Sequence, residues 1–427
     1  MKKVLIITYY WPPAGGPGVQ RWLKFAKYLR DFDIEPIIYT PENPDYPIID
    51  TSLLNEIPNG ITVIKKPIFE PYFFAKLFSK KQTSKISSGI IEDATEQGFL
   101  QRAFLYIRGN YFIPDARKFW VKPSVKFLKT YLKENSIDAI ITTGPPHSLH
   151  LIGLELKTSE TIKWIADFRD PWTEIGYHKK LKLSASAEAK HIQLETAVLN
   201  SADKIITTSF KTKEEFSNKT TKPITVITNG YDEEITEKIQ LDKKFTISHI
   251  GSLLSERNPE NLWNVLKELI KENEDFAKDL QLKLVGKVSE AVIRAIKNHG
   301  LDPNLELVGY VSHQEANKLQ RSSQVLLLIE INSEETKGII PGKVFEYLAA
   351  KRPIIAIGPE NWDVNEIITE TSSGNSFVYQ DHENLKAQIF KYYLEYKQGT
   401  LEIASKNIEK YSRRNLTSAL TKLIKEF

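Results

Sequence analysis

Residues 338–358 read GIIPGKVFEYLAAKRPIIAIG and contain the unit that decides the fold. Pro341 lacks an N–H group and suits the start of a helix, so the pattern predicts a helix over residues 342–350. Four apolar residues would form its buried face: Val344, Phe345, Leu348 and Ala349. The run PIIAIG that follows is typical of a buried parallel strand. A helix that leads directly into such a strand indicates an α/β fold.

Lys343 and Glu346 lie one turn apart on the opposite face of this helix. In water they would form an ordinary i,i+3 ion pair. In a parallel sheet, however, ligands bind beyond the carboxyl ends of the strands, and the loops there surround a cleft. The sequence leaves both interpretations open, a surface ion pair or two side chains at a ligand cleft.

Apolar runs of strand length alternate with amphipathic segments along the whole chain, which predicts parallel sheets built from βαβ units. Seven strands are predicted in the first half, at KVLIIT, EPIIYT, ITVIK, DAIITTG, KWIADF, KIITTS and ITVIT. Six follow in the second half, at FTISHIG, LQLKLVG, LELVGY, QVLLLIE, PIIAIG and SFVY.

The polar stretch NGYDEEITEKIQLDKK separates these two sets and resembles a linker. We therefore predict an α/β protein with two doubly wound, Rossmann-like domains that face each other across a cleft. The predicted domains are 1–235 and 236–405. Residues 406–427 would form a C-terminal helix, for which we consider packing against the first domain.

Composition excludes several functions. The 58 basic and 54 acidic residues of the 427 give a net charge of +4, which argues against a nucleic-acid-binding protein. Without cysteine there is no disulfide, thiolate metal site or cysteine nucleophile. The apolar run VLIIT is too short for a signal peptide, and no stretch reaches the length of a membrane span. We expect a cytoplasmic protein.

The loop after the first strand, TYYWPPAGGPGVQRW, contains closely spaced glycines. Gly16 and Gly18 would let the backbone approach a ligand, and the next helix would offer its N-terminus to an anion. A Rossmann dinucleotide motif needs a third glycine where Arg21 stands, so a plain tight turn is an equal alternative. Arg21 could reach a phosphate or carboxylate, or lie over neighbouring aromatic rings.

Four loops of the second half follow predicted strands. HIGSLLSERNPENLW supplies Gly251 and Arg257, LVGKVSE supplies Lys287, and LVGYVSH supplies Tyr310. The fourth loop, KGIIPGKVFEYLAA, supplies Ile340 and a helix N-terminus. Fixed cations together with helix starts describe a site for a diphosphate, which needs concentrated positive potential. Each cation taken alone is more often a solvated surface charge, and it is their shared position at strand ends that favours a site.

Two loops of the first half carry further candidates. In ADFRDPW, the side chains of Asp167, Arg169 and Asp170 would pair with one another if buried, as a ligand site or as a structural ion-pair cluster. In TTGPPHSLH, His147 and His150 are i,i+3 neighbours at a predicted helix start. They could bind a metal, but because no third ligand is evident we favour a hydrogen-bonding role.

Residues 71–133 interleave aromatic and basic side chains, as in PYFFAKLFSKKQTSK and RAFLYIRGNYFIPDARKFW. Such a mixture suits contact with anionic lipid at the inner membrane surface. It equally suits aromatic rings that pack on the sheet while the lysines face water.

These motifs together resemble the GT-B glycosyltransferases of the GT4 family, in the retaining, group 1, bacterial polysaccharide-type branch. GSLLSERN, VGKV and FEYLAAKRPIIA occupy the places of the family's C-terminal motifs. TNGYD resembles the motif at the entrance to the family's linker, YYWPPAGGPGVQR its glycine-rich first loop, and R-D-x-W a pattern of the polysaccharide branches. The resemblance covers essentially the whole chain.

The resemblance implies roles for individual residues. Arg257 stands where the family's lysine binds the donor diphosphate, and Glu346 where a glutamate holds the ribose hydroxyls. The predicted donor-binding residues are Gly16, Gly18, Gly251, Arg257, Lys287, Tyr310, Ile340, Lys343 and Glu346. The predicted catalytic residues are Arg169, Asp170 and His147, and no metal ligand is predicted.

The sequence departs from the family at three positions. Gly338 replaces the first glutamate of the family's E-x7-E pair, which in relatives contacts the donor sugar, and Ser252 replaces an arginine. Arg169 stands where many relatives have a histidine. These departures leave open which sugar oxygens are recognised and whether catalysis is retained.

The resemblance implies transfer of a sugar from a nucleotide diphosphate sugar to a hydroxyl acceptor, with retention at the anomeric carbon. The acceptor would be a sugar or a lipid-linked sugar in cell-surface polysaccharide or glycolipid synthesis. We expect the nucleotide sugar as co-substrate and no further cofactor. A sugar-nucleotide 2-epimerase and a non-catalytic sugar-nucleotide-binding protein remain as alternatives.

Overall fold

The structure is a computed structural model, and it describes residues 1–71, 99–179, 181–232 and 239–427. Most of the aromatic and basic segment PYFFAKLFSKKQTSK lies outside the described residues. The described chain forms two compact units. Met1–Thr228 and Arg413–Phe427 form the first domain, and Asn229–Ser412 form the second.

The first domain contains a seven-stranded parallel sheet in the order β3-β2-β1-β4-β5-β6-β7. Its strands are β1 Lys2–Ile7, β2 Ile34–Pro41, β3 Thr62–Lys66, β4 Ala139–Gly144, β5 Lys163–Phe168, β6 Lys204–Thr207 and β7 Ile224–Val226. Its helices before the domain division are α1 Pro17–Leu29, α2 Phe99–Tyr111, α3 Lys118–Glu134, α4 Ser148–Ser159, α5 Gly176–Lys179, α6 Ala185–Ser201 and α7 Phe210–Ser217.

The second domain contains a six-stranded parallel sheet in the order β10-β9-β8-β11-β12-β13. Its strands are β8 Phe245–Ile250, β9 Leu280–Val285, β10 Leu305–Gly309, β11 Val325–Ile329, β12 Ile354–Gly358 and β13 Gly374–Val378. Its helices are α8 Glu260–Glu272, α9 Glu274–Asp279, α10 Glu290–Asn298, α11 His313–Ser322, α12 Gly342–Ala350, α13 Asp363–Thr371 and α14 His382–Lys397.

All thirteen predicted strands are present, which confirms the prediction of two doubly wound α/β domains. The central strands β4, β8, β11 and β12 are buried along their whole length. A strand covered on both faces carries mostly apolar side chains, and this tendency makes the runs visible in the sequence.

The predicted domain boundaries differ from the observed ones. The first division lies at Thr228–Asn229 rather than at 235–236. Tyr231 explains the difference, because its backbone N–H donates to the Tyr411 carbonyl (3.2 Å) and its hydroxyl to the Ile408 carbonyl (3.1 Å). The start of the predicted linker is therefore anchored in the second domain.

The C-terminal helix α15 spans Arg413–Lys425 and belongs to the first domain. It begins after Ser412 rather than at residue 406, because Tyr411 still packs in the second domain and donates to Glu370 (2.7 Å). Leu416, Leu420 and Ile424 repeat at helical spacing and are buried in the same core as helix α1. An apolar stripe of this kind is what fixes an amphipathic helix to a domain.

Candidate functional site

Three neighbouring strands of the second domain end in glycines with left-handed backbone. Gly251 follows β8 with φ 126°, Gly286 follows β9 with φ 107°, and Gly309 ends β10 with φ 78°. A Cβ on Gly286 would lie 2.8 Å from the Gly251 carbonyl oxygen, so only glycine fits there. The loops after these strands therefore come together at one edge of the sheet, as the sequence predicts.

Lys343 projects from the first turn of α12 towards this edge. Its ammonium lies over Gly251, where an added Cβ would be 2.9 Å from Nζ. Its hydrogen-bond partner is Nε2 of the buried His249, at 3.3 Å. Burial, followed by the positive charge of Arg257, lowers the pKa of Lys343 to about 8.

Arg257 pairs with a carboxylate that the sequence analysis did not single out. Its Nε and Nη2 both donate to Oε1 of Glu330, at 2.9 and 2.8 Å. Glu330 follows β11, is only 1% exposed, and also accepts from the backbone N–H of Ile331. One edge of the guanidinium is therefore occupied, and a ligand could use only the other.

Glu346 lies one turn beyond Lys343 but does not pair with it. Its Oε2 accepts from the Gln320 side-chain amide on α11, at 2.8 Å. The i,i+3 ion pair, one of the two interpretations that the sequence left open, is absent, and the two side chains make separate contacts, Lys343 with His249 and Glu346 with Gln320. Both side chains remain half-buried at the same end of α12.

The other predicted donor-binding residues of the second domain occupy more open positions. Lys287 is exposed directly after β9, and its carbonyl accepts from the Leu253 N–H (2.8 Å). Tyr310 follows β10 and is 95% exposed. Ile340 is half-buried just ahead of α12. Lys287 and Tyr310 are thus more exposed to solvent than Lys343 and Arg257, which lie at the same edge of the sheet.

The end of α12 is tied to the sheet by a second buried side chain. Tyr347 accepts from the backbone N–H of Ile250 at 3.0 Å, and burial raises the pKa of its hydroxyl. Because Ile250 precedes Gly251, this contact fixes α12 and therefore Lys343 relative to the end of β8. The buried face of α12 also includes Tyr347, which the predicted apolar face omitted.

In the first domain, the glycine-rich loop lies against Arg169. Gly16 precedes α1 with φ 99°. The guanidinium of Arg169 lies where a Cβ on Gly18 would be, so a side chain at residue 18 would displace it. Arg169 donates to the Pro145 carbonyl, and its guanidinium is 5.6 Å from the Tyr10 ring centroid. Gly18 thus leaves the space that the Arg169 guanidinium occupies.

Asp167 does not pair with Arg169, contrary to the expected cluster. The fully buried Asp167 accepts from Arg21 (2.8 Å), Trp22 Nε1 (2.9 Å) and Thr143 Oγ1 (2.8 Å). The charge of Arg21 and these donors outweigh burial and hold the carboxyl pKa below its usual value. This pair is structural, whereas Asp170 is exposed at the surface.

His147 is buried at the carboxyl end of β4. Its ring stacks on Trp172, with centroids 4.9 Å apart and planes at 6°. Burial, helped by the nearby His150 and Arg169, lowers its pKa far below the usual value, so the ring is neutral at pH 7. Among the described residues neither ring nitrogen has a hydrogen-bond partner, and no group of three or more His, Asp or Glu could hold a metal ion.

Sequence reasoning missed His249 and Glu330. Glu330 directly follows the wholly apolar run VLLLI, where a single charged residue was the available signal, whereas His249 shares β8 with Thr246 and Ser248 and gave no such signal. Among the described residues, no helix is long and apolar enough to cross a membrane.

Comparison with known proteins relates a segment of the second domain to a glycosyl transferase family, and the whole chain to solved structures of the same fold. Residues 244–394 match the family model described as Glycosyl transferases group 1. A search of curated proteins finds no match. HepE from Anabaena, solved in complex with UDP and glucose, is 14% identical with a TM-score of 0.58. The match covers 100% of this chain and 100% of that one.

Two further structures show the same fold. An E. coli structure described as trehalose-6-phosphate bound with UDP-2-fluoro glucose is 10% identical with a TM-score of 0.59, covering 100% of this chain and 99% of that one. The lipopolysaccharide outer core galactosyltransferase WaaB is 13% identical with a TM-score of 0.58, with the same coverage. The chain therefore has the GT-B fold, and the segment that holds the second-domain site matches the group 1 glycosyl transferases.

Proposed function

We propose that this protein transfers a sugar from a nucleotide diphosphate sugar to a hydroxyl acceptor. The observation that carries the proposal is Lys343, a half-buried ammonium that forms no ion pair with a carboxylate in the described part of the chain. A desolvated cation without a counter-ion is costly in the empty protein, and a bound anion would offset that cost. The diphosphate of the donor is such an anion.

The site would also assist the chemical step. As the glycosidic bond breaks, negative charge grows on the leaving diphosphate, and fixed cations stabilise it without reorganisation. Lys343 and the free edge of Arg257 would supply this charge, with Lys287 at the rim. In this proposal they take the place of a divalent metal, and no cofactor beyond the nucleotide sugar is required.

Glu346 would accept hydrogen bonds from the ribose hydroxyls, and Tyr310 and Ile340 would border the nucleoside. We assign handling of the acceptor to Arg169, Asp170 and His147 of the first domain. Because His147 is neutral at pH 7, its role would be to hydrogen-bond a hydroxyl. Retention at the anomeric carbon follows from the family resemblance, and the anomeric proton coupling of the product tests it.

The acceptor we propose is a sugar or lipid-linked sugar of cell-surface polysaccharide or glycolipid synthesis. An aromatic and basic cluster on the first domain supports peripheral membrane contact. Phe69 and Phe119 are 59% and 43% exposed with ring centroids 5.8 Å apart, and Lys118 Nζ lies 5.4 Å from the Phe119 centroid. Exposed rings beside a lysine suit an anionic bilayer surface. Flotation with vesicles that contain or lack phosphatidylglycerol tests this contact.

The experiment for the proposed function is a panel of UDP and GDP sugars, screened first by thermal shift and then for transfer to hydroxyl acceptors. We expect acceptor-dependent release of nucleoside diphosphate, lost in Lys343→Met and retained in Lys391→Met, which removes an exposed lysine of α14. Donor turnover without acceptor would instead identify an epimerase. Binding without turnover would identify a binding protein.

A further inference from the structure

The ring of His249 lies between Leu327, Lys343 and the backbone of Ser252. It lies on β8 and is fully buried. Its Nδ1 is 3.0 Å from the backbone carbonyl of Leu327 on the adjacent strand β11. A carbonyl oxygen can only accept, so Nδ1 carries the hydrogen. Burial and the charge of Lys343 lower the pKa of the ring far below its usual value, so the ring is neutral.

This assignment determines what the other nitrogen does. In a neutral imidazole with the hydrogen on Nδ1, Nε2 has only a lone pair. That lone pair is 3.3 Å from Nζ of Lys343, which can only donate. The direction of the hydrogen bond is therefore from the ammonium to the imidazole.

The other charged groups near Lys343 do not fix its position. Arg257 repels the ammonium, and Glu330 attracts it but is already bound by Arg257. Glu346 attracts it from the next turn of the helix but is bound by Gln320. Among the described residues, His249 is the group whose hydrogen bond reaches Nζ.

We propose that His249 is a positioning residue that holds the Lys343 ammonium over Gly251 for the donor diphosphate. This inference rests on the proposed function. A lysine side chain has four rotatable bonds, and ordering them on binding reduces affinity. With one N–H bond donated to His249, two N–H bonds of the ammonium are left for the diphosphate.

Two substitutions separate this role from a structural one. In His249→Gln the amide oxygen can reach the place of Nε2 and accept from Lys343, while the Leu327 carbonyl loses its donor. In His249→Asn the shorter amide can take the place of Nδ1 and donate to Leu327, while Lys343 loses its acceptor. If His249 positions Lys343, the asparagine variant is impaired and the glutamine variant is not.

The measurement is the affinity for UDP and GDP by calorimetry, in the parent and in a Lys343→Met background. We expect His249→Asn to weaken binding about tenfold, the loss of one hydrogen bond to a charged group, and His249→Gln to change it less than about threefold. In the Lys343→Met background His249→Asn should have almost no further effect, because the group it positions is gone.

The outcomes distinguish the inference from the proposed function. If the parent protein binds neither nucleotide nor any sugar nucleotide of the panel, the proposed function fails. If the parent binds but the glutamine variant is the impaired one, His249 acts through Leu327 and the inference is overturned. Full additivity of His249→Asn with Lys343→Met would overturn it as well.

Discussion

Lys343 should take up a proton when the diphosphate binds. Its pKa in the free protein is about 8 because the ammonium is desolvated and lies near Arg257. A bound diphosphate offsets the repulsion between Arg257 and Lys343 and attracts the ammonium itself. The pKa of Lys343 should therefore return to about the ordinary lysine value of 10.4. Because the bound pKa is higher than the free one, protons are taken up between these two values.

The size of the effect follows from the free pKa. The neutral fraction of Lys343 is about 0.1 at pH 7.0 and about 0.75 at pH 8.5, for a pKa of about 8. Proton uptake per bound nucleotide should rise between these same values, and affinity should fall about fourfold across the range. The second phosphate ionisation, near pH 6, is about nine-tenths complete at pH 7.0 and complete at pH 8.5, so its contribution to proton exchange falls across the range while that of Lys343 rises.

The assay is calorimetry with UDP or GDP in pairs of buffers that differ in ionisation enthalpy, at pH 7.0 and 8.5. Lys343→Arg keeps a charge that does not titrate, so its binding should show no such pH dependence. Uptake that stays constant with pH, or that persists in Lys343→Met, would refute the reasoning.

Lys343→Met should also raise the free energy of unfolding at pH 7. The pKa of Lys343 is lower in the folded protein than in the unfolded chain, so the unfolded chain binds more protons between about pH 8 and 10.5. The loss of folding stability that Lys343 causes is therefore complete below about pH 8. At about 1.36 kcal/mol per pKa unit, this difference sets an upper limit of about 3 kcal/mol on the gain in the free energy of unfolding. Chemical denaturation measures it, and a destabilised variant would contradict the assignment.

Three further predictions concern the two sites. Glu346→Gln should weaken binding of UDP and of uridine alike, about tenfold, because the lost contact is to the ribose; unchanged affinity in calorimetry would remove Glu346 from the site. Asp167→Asn should lower the free energy of unfolding by about 3 to 5 kcal/mol in denaturant titrations, because the buried Arg21 loses its carboxylate, and a loss below about 1 kcal/mol would contradict the structural role. Transfer should persist in excess EDTA, since cationic side chains stabilise the leaving group; loss of activity that magnesium or manganese restores would refute this.

The sequence by itself determined the sheets. Strands buried on both faces, such as β11 and β12, are rich in apolar residues, and this local tendency appears directly as runs such as VLLLI. It also determined where to search, because the loops that follow parallel strands lie at the ligand-binding edge. Gly251, Arg257 and Lys343 were all found in this way.

Only the tertiary structure decided which charges are paired. Arg21 and Asp167 are 146 positions apart, Arg257 and Glu330 are 73 apart, and Lys343 and His249 are 94 apart. Local sequence cannot distinguish a paired cation from an unpaired one, because a partner on another strand leaves no periodic pattern nearby. The strand order β8-β11-β12 brings Glu330 and His249 to the start of α12. Arg257 is thereby paired with Glu330, while Lys343 has no carboxylate partner among the described residues.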